Sequence, residues 1–336
     1  MNNKHLIRIL FIIAALPGLA EAAPCIPIYG IATITMGGTY CLVRDIVSST
    51  GTGIVIRTDN VVLDFAGHKL STPSNPASTV ITTGVDASLN RNITIKNGTI
   101  QGFVDGINLG ERVPANNFGN YLVTNMRIDS AISNQGRAIG IFAEGANFTI
   151  TNNTITNIRG VDALGMLMHG NGAAILAPGK IVITGNRIDR VQGIFGGATG
   201  IALDGGALTR VSDNVITELV PGSTPSQPFL DSTGIHVASF EANSLTEVGG
   251  NHVRNTTLRP NSIGIALNTH GNQVAFVRDS QVSGMSIGLD LGGSCVAYYL
   301  YNSVVGANTP YRLTGDQIPC SRADVGSGPG NNPPGP

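Results

Sequence analysis

The sequence predicts an all-β chain wound into a right-handed parallel β-helix, a solenoid of about nine coils. Three observations predict it. A six-residue motif recurs at intervals of 23 to 37 residues, a glycine-led motif interleaves with it, and no long helical period runs through the chain beyond its first residues.

The six-residue motif is apolar, any, Asn/Asp/Gly, small polar, any, apolar. It reads Ile95-Lys96-Asn97-Gly98-Thr99-Ile100, then Val123 to Ile128, Ile150 to Ile155, Ile183 to Ile188 and Val211 to Ile216. Val248 to Val253, Val277 to Val282 and Leu300 to Val305 complete the series, with starts 28, 27, 33, 28, 37, 29 and 23 residues apart. Asn and Gly tolerate left-handed backbone angles, so they suit a sharp corner between short strands. The second motif is Gly, aliphatic, any, apolar or small. It runs from Gly84-Val85 through Gly106-Ile107, Gly140-Ile141, Gly165-Met166, Gly200-Ile201, Gly234-Ile235 and Gly264-Ile265 to Gly288-Leu289. One copy of each motif per period gives at least two strands per coil. A single coil cannot bury its apolar face, whereas stacked coils can. The asparagines should then form ladders along the stack. Leucine-rich and propeller consensus patterns are absent.

Composition agrees. Of 336 residues 44 are Gly, none is Trp, 42% are hydrophobic and only 12% are charged. The net charge of −1 and the lack of a basic stripe exclude nucleic acid as an expected partner, and they do not suggest a strongly polyanionic substrate. The five Asn-x-Ser/Thr sequences, at Asn92, Asn97, Asn147, Asn152 and Asn255, fall at or beside corners, which explains them without glycosylation.

The chain start reads as a secretory signal peptide over residues 1–22. Lys4, His5 and Arg8 precede an apolar run from Ile9 to Leu16, and Ala20-Glu21-Ala22 is a small-x-small cleavage site. The run is too short to span a bilayer. The expected location is secreted, periplasmic or extracellular, with no membrane association after cleavage. An N-terminal cap (23–50), the coils (51–310), a C-terminal cap (311–320) and a disordered tail (321–336) follow, the last because Gly, Pro, Asn and Ser cannot bury a core. Cys25 and Cys41 flank one end of the solenoid, Cys295 and Cys320 the other. Four cysteines in a secreted chain allow three disulfide pairings. The local one, Cys25–Cys41 with Cys295–Cys320, would staple both ends. No Cys-x-x-Cys spacing points to a metal.

The segment Asp59-Asn60-Val61-Val62-Leu63-Asp64-Phe65-Ala66-Gly67-His68-Lys69-Leu70 resembles the opening coil of bacterial secreted proteins of the pectate-lyase-like superfamily. Leu63, Asp64, Gly67, His68 and Leu70 carry the match, and Gly38-Thr39-Tyr40-Cys41-Leu42 resembles that family's N-terminal cap. The resemblance covers roughly residues 25 to 310. It implies the β-helix fold and a carbohydrate-related role, because the superfamily includes pectate lyases, polygalacturonase-type hydrolases, alginate lyases and mannuronan C5-epimerases. The Asp-Pro-His-Asp motif of the epimerases and the Asn-Thr-Asp, Asp-Asp and Gly-His-Gly set of the polygalacturonases are missing. Asp64 and His68 belong to the structural motif.

Candidate chemistry follows from aligning the glycine-led strands. If the residue after Gly points inward, the next points out, as does the one two further on. The nearer outward column is Asp86, Asn108, Phe142, Leu167, Ala202, His236, Ala266 and Asp290. The farther is Ser88, Gly110, Glu144, His169, Asp204, Ala238, Asn268 and Gly292. Glu144, His169 and Asp204 are consecutive, about 5 Å apart, with His236 one coil on. A carboxylate–imidazole–carboxylate row suits proton transfer. Arg137 could neutralise a substrate carboxylate, Asp162 and Asp231 could edge the same face, and Phe142 and Tyr121 could stack on sugars. Cofactors are unknown, and no residue set suggests a metal. Two functional classes follow. One is a carbohydrate-binding or carbohydrate-modifying protein, a polyuronate lyase or C5-epimerase if catalytic. The other is a non-catalytic, adhesin-like structural solenoid.

Non-reducing peptide mapping should link Cys25 to Cys41 and Cys295 to Cys320. A peptide joining Cys25 to Cys320 would overturn the terminal-staple arrangement.

Overall fold

The computed structural model describes residues 25–49, 51–73, 81–110, 119–170, 179–222, 231–239, 244–269, 274–293 and 296–314. The expected signal peptide and tail, and Cys295 and Cys320, lie outside the described residues. All 27 strands of the described residues belong to one sheet, and every pairing between them is parallel. The described residues contain no helix.

The strands stack into three ladders. The front ladder holds the glycine-led strands. It runs Ala32–Ile34, Ile54–Ile56, Thr83–Asp86, Asp105–Leu109, the first half of Ala138–Thr151, Ala163–Gly170, Ala198–Asp204 and Ser232–Ser239. The second halves of His252–Thr269 and Gln281–Gly293, then Thr309–Thr314, complete it. A second ladder rises from Ile26–Ile28 to Val296–Leu300 and a third from Ile46–Val47 to Ser303–Val305. The front ladder is thus eleven strands deep, deeper than the expected nine coils. At about 4.8 Å per strand it spans roughly 48 Å. The extra depth lies at the ends, because residues 26–47 and 309–314 already pair in the ladders. The disulfide Cys25–Cys41 ties the first strand to the second coil, with its Cα atoms 5.7 Å apart.

Each six-residue motif bridges two ladders. Val123 ends the second ladder's strand, Asn125 turns the corner with φ 54°, and Ile128 lies in the third. Equivalent corners fall at Asn97, Asn152, Gly185, Asp213, Gly250 and Asp279, all with positive φ. Four of the five Asn-x-Ser/Thr asparagines, Asn92, Asn97, Asn147 and Asn152, adopt this conformation, and Asn255 is buried.

The residue after the corner points inside. Asn153, Asn186, Asn214 and Asn251 form a buried ladder there, continued by Ser280 and Asn302. The Oδ1 of Asn186 accepts from the backbone N–H and the Nδ2 of Asn153, both at 3.0 Å. Asn214 and Asn251 repeat the arrangement one coil further each time. Each Nδ2 also donates to a carbonyl of an earlier strand, Ile150 for Asn186 and Ile183 for Asn214. Each amide of this ladder is thereby bonded on both sides, which removes the desolvation penalty such groups otherwise carry.

The opposite corner is set by the glycines. A Cβ at Gly140 would stand 2.5 Å from the Gly165 carbonyl oxygen and 2.7 Å from Cγ2 of Ile155. Gly106 meets Ile128 and Gly200 meets Ile216 in the same way. The missing side chain is what lets a β-branched residue of the third ladder reach under the front ladder. Beside it, Val85, Ile107, Ile141, Met166, Ile201, Ile235, Ile265 and Leu289 form one fully buried inward column, as the alignment predicts.

Replacing Asn214 by Leu should lower stability by about 2 kcal/mol or more, since it removes the acceptor of the Asn186 backbone N–H and the side-chain donor to the Ile183 carbonyl, each worth ~1–3 kcal/mol. Gly200→Val should prevent recovery of folded protein. Urea denaturation checks the first and the yield of soluble folded protein the second. Unchanged values for both variants would contradict this packing.

Candidate functional site

The outer surface of the front ladder carries the candidate residues. Its farther column pairs Glu144 with His169 and His169 with Asp204 in direct Cα register. Parallel strands set these backbone positions about 4.8 Å apart. The His169 side chain lies outside the described residues. Asp204 is half-buried and Glu144 is buried. The burial of Glu144 corrects its expected exposure. Its backbone packs against Gly110 in the preceding coil, where an added Cβ would come within 2.4 Å of the Glu144 Cβ. His236 is half-buried in the nearer column between Ala202 and Ala266, diagonal to Asp204.

The nearer column is charged at its ends and apolar in its middle. Arg312 holds Asp290 through two hydrogen bonds of 3.0 and 2.6 Å at one end. Arg57 pairs with Asp86 at 3.4 Å at the other. Between them Phe142 and Leu167 bury themselves against Ile139, with Leu164 and Ala202 packed alongside. Phe142 faces outward as expected, but it is only 8% exposed and offers no open stacking platform. Tyr121 is corrected outright. Its ring lies in the core stacked on Phe148, centroids 5.7 Å apart, and its hydroxyl donates to the Asn90 carbonyl. Burial raises that hydroxyl's pKa far above the usual tyrosine value.

A cleft of about 480 Å³ opens at the strand starts, lined by Arg137, Asp162, Ala163, Leu164, Leu167, Gly197 and Thr199. Arg137 and Asp162 are exposed on adjacent coils, and Arg137 makes no ion pair among the described residues. Asp162 accepts from the Gly197 backbone N–H at 3.1 Å, which fixes its carboxylate at the rim. Exposed Asp231 lies one coil beyond Gly197, where its carbonyl accepts from Ala198. Arg137 and Asp162 immediately precede the strands that carry Glu144 and His169, seven residues on in each case. At about 3.3 Å per extended residue the two clusters are separated by at most roughly 23 Å. That places Arg137 at the opposite end of the strand from the His169 position, an arrangement that does not favour its neutralising the carboxylate of a sugar whose proton His169 removes.

The model of the right-handed β-helix region matches residues 83–305, about two thirds of the chain. This chain belongs to the right-handed β-helix family. No curated protein and no solved structure matches it. Both candidate clusters of this β-helix fall inside the matched stretch. Its cleft also uses Leu164 and Thr199, which sequence alignment missed. Alternation carried back through the glycine turns the preceding residue inward. In the structure the register instead skips the glycine, pairing Leu164 with Thr199 and then Met166 with Ile201. The alternation resets at that bend, so the residue before each glycine faces out. No group of three or more His, Cys, Asp or Glu side chains among the described residues could hold a metal.

Phe142→Ala should cost ~3–5 kcal/mol, the value for a core phenylalanine, in urea denaturation. A loss under about 1 kcal/mol would show that the ring is solvated.

Proposed function

We propose that the front face of this β-helix binds a polysaccharide laid along its strands, from the Arg137–Asp162 cleft toward the Glu144–His169–Asp204 row. The cleft carries the reading. It combines an apolar floor, Leu164 and Leu167, with a guanidinium, a fixed carboxylate and the Thr199 hydroxyl at its rim. Sugars present apolar C–H faces and polar edges, which is the pattern such a lining complements. The strand length fits an oligosaccharide of several units, with polar groups at both ends and a buried apolar strip between.

Modification of the bound chain is the second part of the proposal. His169, flanked in register by two carboxylate residues, is the group suited to removing a sugar ring proton, as in uronate elimination or epimerisation. With Arg137 held at the other edge, the carboxylate of the reacting sugar needs a different neutraliser. That separation favours binding over chemistry, and it is the observation behind a non-catalytic, adhesin-like alternative.

The test uses a glycan array, then alginate, pectate and polygalacturonate watched for unsaturated product by absorbance and for epimerisation by NMR. Arg137→Gln and Asp162→Asn should each weaken binding on the order of tenfold, the worth of one charged hydrogen bond. His169→Ala should abolish any turnover while leaving the urea midpoint unchanged. Glycan affinities untouched by both cleft variants, or no binding to any glycan, would overturn the proposal.

A further inference from the structure

The third ladder presents a surface unlike the front. One outward column reads Arg127, Thr154, Arg187, Val215 and His252 on successive coils. The neighbouring column reads Asp129, Thr156, Asp189, Thr217 and Arg254. Arg127, Arg187 and His252 thus recur on alternate coils, two rises or about 9.6 Å apart. All three are exposed, as are Arg159, Arg190 and Arg254.

The acids of this face are turned to internal use. Asp129 accepts from Asn157, Thr156 and Ser130, and Asp189 accepts from Thr217 at 2.6 Å. Their side chains are only 16% and 14% exposed, whereas the paired Arg127 and Arg190 remain 50% and 58% exposed. Burial works against ionisation of Asp129, but its hydrogen bonds and Arg127 outweigh that and hold its carboxyl below the usual range. Glu218 is occupied by the backbone N–H and hydroxyl of Thr256. The carboxylates are sunk and bonded, while Arg127 and Arg190 remain at least half exposed although paired, and Arg159, Arg187 and Arg254 are exposed without an ion pair among the described residues. The front face instead mixes Glu144, Asp162, Asp204 and Asp231 with Arg57, Arg137 and Arg312. A net charge of −1 therefore conceals a row of exposed guanidinium groups on the third face.

We propose that the third face is a second binding surface, for a linear anionic polysaccharide lying along the solenoid axis. A repeating row of guanidinium groups recognises carboxylate or sulfate by paired hydrogen bonds as well as by charge. Arg127 to His252 spans four rises, about 19 Å, so several charges of one extended chain are engaged together. Neither outward column carries Phe, Tyr or Trp, so the surface lacks the stacking platforms that single-stranded nucleic acids use. This inference does not depend on the front-face reading, whose own test rests on Arg137 and Asp162.

Fluorescence anisotropy with labelled polygalacturonate, neutral dextran and single-stranded DNA tests it on the full secreted chain. Polygalacturonate should bind, salt should weaken it and dextran should not bind. The double variant Arg187→Gln with Arg254→Gln should lose at least tenfold in affinity with an unchanged urea midpoint. Arg91→Gln, on the second ladder, should change nothing. Wild-type affinity in the double variant, equal loss in Arg91→Gln, or tighter binding of DNA than of polygalacturonate would overturn the proposal.

Discussion

The coil-to-coil register of this molecule is fixed where a glycine of the front ladder meets a β-branched residue of the third. Gly140 on Ile155, Gly165 on Ile188 and Gly200 on Ile216 are copies of one contact, and no Cβ fits between them. The buried asparagine ladder fixes the opposite corner, because Asn186 bonds to partners one coil away on either side. With both corners locked, each coil has one way to sit on the last. Slippage by one residue would expose the inward column and break every asparagine bond at once. The outward columns, and with them the candidate site, inherit their positions from that lock.

Most of the fold was legible because both corners have sequence signatures. Positive φ favours Asn, Asp or Gly, so Asn125, Asp213 and Gly250 mark the turn by residue type, although Tyr301 takes the same conformation in the last motif. The inward column from Val85 to Leu289 is legible for the same reason, being uniformly apolar next to glycine. The row of Glu144, His169 and Asp204 follows from the alignment alone, since a ladder in register needs only correct starting points.

What escaped the sequence depends on breaks in regularity. The reset of alternation at each glycine put Leu164 and Thr199 outside, against the simple period. Phe142 and Leu167 are outward yet buried against Ile139, because outward on a ladder is not the same as solvated. Tyr121 belongs to the second ladder's inward column, where it packs on Phe148. The separation between Arg137 and the His169 position was implicit in their numbering, since Arg137 precedes its strand and Glu144, in register with His169, comes seven residues later, but sharing a face concealed it. Charge segregation escaped for a different reason. A chain total sums over faces, and Asp129 and Asp189 count fully in that total although their hydrogen bonds turn them inward.

The account stands on the front face being the glycan-binding surface, and hydroxyl-radical footprinting tests that most directly. The chain is labelled alone and with whichever oligosaccharide the array identifies. Protection should concentrate at the half-buried Leu164 and at the adjoining strands 138–145 and 198–204, with the exposed Leu208 and Leu245 of the second ladder unchanged. Protection confined to the second ladder, with Leu164 oxidised as in the free chain, would contradict the account.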